Sequence, residues 1–334
     1  MRARLDAPAH ARQRGAALLT VLVLTATMSA LAVVMLDDSL AAIRRTGDVR
    51  VAEQAAWHAL GAEALGVAAI RRAVLQEPNR ASLRSLWARE PQRFPIEGGM
   101  IAGRVRDGGN CFNLNSLVRP EGGGRQRRNP ESVERLLRLL EATDIDPLQA
   151  AALADGAVDW LDDDARPAPR GAEDFAYTGG PVPYRTAGAP MAEISELRAV
   201  AGVDAALYRR LLPLLCVHPN HEPSRLNVNT LREEDAPLLV MLLGTELRLS
   251  AARGVILDRP VGGYASIDAF WDHPAFQDME ITEAMRRQAG VMTRYYEIAA
   301  EIVYRDASLR LVSLFRLEGG GRLRRLHRRL ERGL

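Results

Sequence analysis

A chain of 334 residues with 47% apolar content is long enough for two or more domains with real cores, which excludes disorder as its main state. Its 44 basic residues, all of them arginine, face 42 acidic ones for a net charge of +2, so composition gives no general pull toward nucleic acid or anionic membrane. Two cysteines, Cys111 and Cys216, are too few for a disulfide scaffold and lack the spacing of a zinc site.

The first predicted element is apolar. After a leader carrying Arg2, Arg4, Arg12 and Arg14 against Asp6, the chain runs uncharged from Ala16 to Leu36. As a helix this stretch spans about 31 Å at 1.5 Å per residue, which matches a bilayer core of roughly 30 Å. The basic leader keeps the N-terminus cytoplasmic and sends the remainder outward. A secretory signal has a shorter apolar run and a cleavage site beyond it, so this segment reads as an anchor that stays. Helical periodicity then continues through Leu40, Ile43, Ala55, Ala59, Ala62, Leu65, Ala69 and Ile70, with a break expected near Gly47.

Beyond residue 78 the pattern changes. "IEGGMIAGRVRDGGNCFNLNSL" reads as strand and turn, and "YYEIAAEIVYRDASLRLVSLFRLE" (295–318) alternates as a β-hairpin around Arg305–Ser308. Between them lie about 175 residues of mostly helical pattern, such as "PESVERLLRLLEAT" and "APLLVMLLGT". The simplest topology is a helical domain inserted into a small β-sheet. Two pairs, Asn113 with Asn115 and Asn227 with Asn229, alternate with apolar residues and read as strand ends that cap helices. The second runs into a Thr230-x-x-Glu233 capping box. The end of the chain, "GGGRLRRLHRRLERGL", has Leu323, Leu326 and Leu330 at helical spacing and is expected to be a frayed, solvated basic tail, with docking on an acidic partner or anionic lipid as the other reading.

Taken together, the leader ending in Gly15, "AALLTVLVLTA", "DGGNCFNLNSL" (107–117), "LADGAVDWLDDD" (153–164), "RGAEDFAY" (170–177), "YRTAGAPMAEISELRAVAGVDAALYRRLLPLLCV" (184–217) and "LNVNT" (226–230) resemble the minor pseudopilin K family of type II secretion over nearly the whole chain. That resemblance implies an α+β pseudopilin fold: a long N-terminal transmembrane and amphipathic helix, a small antiparallel sheet, and a large SAM-like or helix-hairpin-helix-like domain inserted in it. The implied divisions are a leader (1–15), the transmembrane helix (16–36), its amphipathic continuation (37–78), a first β part (79–117), the inserted domain (118–292, in subdomains 118–222 and 223–292), the hairpin (293–318) and the tail (319–334). It also implies cleavage between Gly15 and Ala16 by a prepilin peptidase, methylation of the new N-terminus, residence in the bacterial inner membrane with a periplasmic head, and a tip complex with minor pseudopilins I and J among the other pseudopilins.

At the fifth mature position this chain has Thr20 where pilins normally carry Glu. In a filament that acid neutralises the terminal ammonium of a neighbour inside lipid, where an unpaired charge is costly. A subunit at the tip has no neighbour above it, so Thr20 fits a cap; it also fits a tolerated hydroxyl beside Thr25, Thr27 and Ser29.

Between Asp155 and Asp174 seven acidic residues face only Arg166 and Arg170. Two readings stand: a solvated loop with internal Arg pairs, or a site for Ca²⁺, whose 6–8 oxygen ligands suit such a loop. The resemblance implies structural calcium, with Asp162, Asp164, Glu173 and Asp174 as ligands. In an oxidising compartment Cys111 and Cys216, each beside an Asn motif, can pair and close a loop of about 105 residues, contributing on the order of 4 kcal/mol; the other reading is a buried apolar thiol at Cys216. His218 and His221 lack partners at zinc-motif spacing. No G-x-S-x-G, H-E-x-x-H or Walker loop occurs, so an enzyme is not expected. The rival function is a membrane-anchored periplasmic DNA-binding protein of a competence-like uptake system, from the helix-hairpin-helix look of residues 194–215. Its cations there are only Arg198, Arg209 and Arg210, and no nucleic acid is expected.

Overall fold

The computed structural model describes residues 10–88, 91–179, 182–244 and 246–332, with side chains described from 17 to 331 within those ranges. Helix α1, His10–Gln76, runs 67 residues without interruption. The expected break at Gly47 does not occur: one mid-helix glycine costs about 1 kcal/mol against alanine, too little to stop a helix this long. Its first half is bare, with Leu18 to Leu36 exposed, and an 18-residue stretch of the helix with a mean hydropathy of 2.3 makes it long and apolar enough to cross a membrane. Its second half buries Ala55, Ala59, Glu63, Ile70 and Ala73 at three-, four- and seven-residue steps.

That stripe lies on an antiparallel sheet of β1 (Gln92–Ile96) and β2 (Gly99–Asp107), completed by strands from the other end of the chain. The chain leaves the sheet after β2. It then forms β3 (Phe112–Asn113), the hairpin β4 (Val118–Glu121) and β5 (Arg125–Arg128), α2 (Pro130–Ala142), α3 (Pro147–Leu161), α4 (Asp174–Thr178), α5 (Ala205–Leu211) and β6 (Leu215–Cys216). A second set follows: β7 (Leu226–Asn227), α6 (Ala236–Leu243), α7 (Leu249–Leu257), α8 (Ile267–Trp271), α9 (Glu283–Gln288) and β8 (Ala289–Gly290). Two short parallel pairs, β3 with β6 and β7 with β8, each close one set. The helices start where local chemistry satisfies their free N–H groups. Pro130 stands in the first turn of α2, and the Asp146 carboxylate accepts from Leu148 and Gln149 N–H at the start of α3. Gly202, at φ +81°, makes the left-handed turn before α5. One apolar core, including Leu136, Leu140, Leu153, Leu161, Leu211 and Leu239, joins both sets.

The sheet is completed by β9 (Tyr295–Tyr304), β10 (Ala307–Glu318) and β11 (Arg322–Arg332), in the order β1-β2-β9-β10-β11. The hairpin 295–318 forms with Tyr304 opposite Ala307, and Ile298, Ala300 and Ile302 face the helix. The C-terminal segment departs from its expected frayed, solvated state. It is the edge strand β11, paired along the length of β10, with Leu323 buried. The helical spacing of its leucines misled because a β-bulge stands at Leu326: Leu314 faces His327, and the next residue, Phe315, faces Arg325. The extra residue lets Arg325 and Arg328, three apart, both turn toward α1. There they meet the buried Glu63 carboxylate at 3.2 Å and 2.6 Å, with the Ser313 hydroxyl also donating to it. Burial alone would raise the Glu63 pKa. The hydrogen bonds from Arg328 and Ser313 and the two guanidinium charges outweigh burial and hold it below the usual glutamate range.

Candidate functional site

The acidic segment divides into two parts with different chemistry. Asp155 and Asp159, on the buried face of α3, are fully engaged. Asp155 receives Arg128 of β5 at 2.7 Å and the Arg170 N–H at 3.1 Å, and Asp159 receives the Ala168 N–H at 3.1 Å. The Arg partner of Asp155 therefore comes from outside the loop. Asp163 accepts from the Gln126 N–H, tying the loop to β5.

Asp162, Asp164 and Glu173 form the second part. One carboxylate oxygen from each lies within 4.8 Å of the others. Asp162 Oδ1 and Glu173 Oε1 are buried without a hydrogen-bond partner. Burial, with the charges of Asp164, Asp159, Glu173 and Asp163, pushes the Asp162 carboxyl up to about 7; burial, with the charges of Asp159 and Asp164, does the same to Glu173. Three converging carboxylates, two with orphaned oxygens and none with an arginine partner within the cluster, form an all-oxygen donor set that suits a hard divalent cation. Asp174 stands apart from the expected ligand set. Its Oδ1 accepts from both the N–H and the hydroxyl of Thr186 at 3.0 Å, with Arg185 at 3.6 Å, so it fastens the following strap.

The four Asn motif residues are buried and bind backbone. Asn115 exchanges two hydrogen bonds with Met191, and Asn229 exchanges two with Tyr264, so the same device recurs in the two helical sets. Replacing Asn229 by Ala leaves the Tyr264 N–H and C=O unpaired and is expected to cost about 2–4 kcal/mol in denaturant titration, against well under 1 kcal/mol for a surface change such as Glu141→Ala. The expected Thr230 to Glu233 capping box does not form, because the Thr230 hydroxyl donates to Asp107 Oδ2 at 2.8 Å and the Arg232 N–H is taken by Asp235.

Asp107 itself was not singled out by the sequence. It ends β2, accepts from Thr230, Thr293 and the Gly109 N–H, and joins Asn110 and Asn227 in one buried network where the inserted domain meets the sheet. Burial raises its pKa despite those donors. Beside it Cys111 and Cys216 are joined by a disulfide with Cα atoms 5.7 Å apart. His218 lies near, but with both sulfurs in that bond neither is a thiolate ligand, and His221 turns its Nδ1 to Asn115 O at 3.2 Å.

The His218 ring stacks on Tyr295 at 3.9 Å and its Nε2 meets Gly108 O at 2.9 Å. Burial depresses its pKa from 6.5 to about 4. The unfolded chain therefore binds the proton first, and stability is lost as pH falls from about 6.5 to about 4, by up to about 3 kcal/mol for this group. Denaturant titrations at pH 7 and pH 4.5 test this: the His218→Gln variant should show a smaller drop than the parent, and an equal drop would assign the effect elsewhere.

At the N-terminus, the backbone of Gly15 and Ala16 lies inside α1, and residues 1–9 fall outside the described residues. The Thr20 hydroxyl donates to Ala17 O at 2.8 Å.

A single apolar helix laid on an antiparallel sheet that carries a helical insertion defines a membrane-anchored pseudopilin-type subunit. Family models described as "Type II secretion system (T2SS), protein K" match residues 110–220 and 226–292. The chain is 37% identical over 308 residues to type II secretion system protein K of Klebsiella pneumoniae, covering 92% of this chain and 94% of that one. It is 38% identical over 315 residues to the protein K of Pectobacterium carotovorum subsp. carotovorum, covering 93% and 94%. A solved structure, the GspK-GspI-GspJ complex of enterotoxigenic Escherichia coli, contains a chain that superposes with a TM-score of 0.74 at 30% identity, covering 86% of this chain and 99% of that one. The chain belongs to the type II secretion system protein K family and is a minor pseudopilin.

Proposed function

We propose that this subunit caps the tip of the pseudopilus, supporting initiation of its assembly and export of folded proteins across the outer membrane. One observation carries the reading: Thr20, where a shaft subunit has an acid, offers no charge, and its hydroxyl is already engaged by its own helix at Ala17 O. It cannot neutralise the ammonium of a subunit above it. The wide inserted domain supports the same place, since a head of that width would obstruct a regular shaft. In this reading prepilin peptidase cuts between Gly15 and Ala16, the N-terminus faces the cytoplasm and the head is periplasmic. Partners of the I and J kind, as in the solved complex, join it with the other pseudopilins. Gold labelling of sheared filaments tests the position. Label at one end is expected, and label along the length would overturn the reading; N-terminal sequencing from membranes should begin at Ala16.

Ca²⁺ held by Asp162, Asp164 and Glu173 is part of this proposal; bound there, it supplies positive charge that neutralises the cluster and fixes the loop after α3. The DNA-binding alternative draws less support, because its three cations, though exposed, are each bound to a neighbouring group of the protein. Arg198 sits 5.9 Å over the Tyr208 ring, Arg209 donates to Ala205 O, and Arg210 donates to Thr143 O.

A further inference from the structure

The inserted domain leaves and rejoins the sheet at one place. Asp107 of β2 is opposite Tyr296 of β9, and the Gly108 N–H donates to Tyr295 O at 2.8 Å, so the outgoing and returning chains are neighbours. A domain carried on two adjacent crossings can rock about them unless a second contact lies off that axis. β11 supplies one. On the helix side of this strand, Arg325 and Arg328 grip Glu63 of α1. On the opposite face, Arg329, paired with Val312 of β10, reaches Glu193 of the inserted domain at 3.3 Å. Only the bulge at Leu326 permits this division, since strict alternation would put Arg325 and Arg328 on opposite faces.

We propose that β11 is a stay that sets the tilt of the inserted domain relative to the spine helix. One face of the strand is clasped to α1 by a buried charge cluster, and the other is tied to the domain by a solvent-accessible pair. The two ties differ in strength by construction. Glu63 is buried among its donors, whereas Glu193 and Arg329 keep side-chain exposures of 46% and 36%, so water and salt compete for the second tie. The strand stays with the spine while the domain can let go of it, which allows the head to pivot about the joint at Asp107 without unfolding. This inference does not depend on where the subunit sits in a filament.

The test uses the full chain in detergent micelles. Spin labels are attached through non-cysteine residues at Arg71 of α1 and Glu141 of α2, and their distance distribution is read by double electron–electron resonance. The parent should give one narrow distance. R329E should broaden it at least twofold or shift it, R329Q should do so to a lesser degree, and the charge-swapped pair E193R with R329E should narrow it again. A distribution in R329E and R329Q as narrow as the parent's, or a swapped pair as broad as R329E alone, would overturn the proposal. For the other tie, E63Q should raise hydrogen exchange of the β11 amides about tenfold, and unchanged protection would likewise count against it.

Discussion

Replacing Cys111 and Cys216 together by serine is expected to lower the free energy of unfolding by about 4–5 kcal/mol, the value the chain-entropy model gives for a closed loop of about 100 residues. The bridge spans 105 residues and sits beside the joint, so it ties the start of the first helical set to its end. It is therefore a loop-closing constraint across nearly all of that set. Without it the joint still has Asp107, Asn110, Asn113 and Asn227, so the fold should persist at lower stability. Denaturant titration of the oxidised full chain against the double serine variant measures the loss. A difference below about 1 kcal/mol would mean that the denatured chain already keeps these ends together, which removes the entropic gain of the bond.

How far the sequence reached depends on whether the information was local. The apolar run and the hairpin 295–318 are periodic patterns, and each forms where the pattern places it; of the expected helical stripe Ala55, Ala59 and Ile70 are buried, whereas Leu40, Ile43 and Leu65 are exposed and Glu63 and Ala73 take part instead. The three clustered carboxylates were legible because they sit close in sequence; that Asp174 lies outside the cluster and bonds Thr186 was not, because Thr186 lies across a strap whose path no pattern encodes. Asp107 and Glu63 were invisible for the same reason. Each is one acid in ordinary surroundings, made important by partners 123 and 265 residues away, Thr230 and Arg328. The C-terminal strand failed differently. Its leucine spacing is a real signal, but a bulge shifts a strand by one residue and turns a two-residue alternation into a three-residue step that imitates a helix.

Asp162→Asn should stabilise the calcium-free protein and destabilise it, relative to the parent, once calcium is present. Without a cation, Asp162 and Glu173 must ionise while buried against Asp159 and Asp164, which is why both carboxyls stand near 7 rather than near 4. The sign follows from that elevation. The folded chain holds protons on these two groups that the unfolded chain has lost, so the cluster's contribution to calcium-free stability is most favourable at acid pH and falls as pH rises from about 4 to about 7, opposite in sign to that of His218. At pH 8 the cluster is fully charged, and removing one charge should add on the order of 2 kcal/mol, less than the full shift implies because the loop still meets water. Calcium reverses the order. A cation held by the folded state alone adds about 2.7 kcal/mol at a hundredfold excess over its Kd, and the variant, with one carboxylate fewer, forfeits most of that gain. Thermal melts of parent and variant in chelator and in calcium should therefore cross: the variant melts higher in chelator, the parent higher in calcium. Parallel curves in the two conditions would remove the cation from the cluster, and a variant that melts lower in both would make Asp162 an ordinary structural acid.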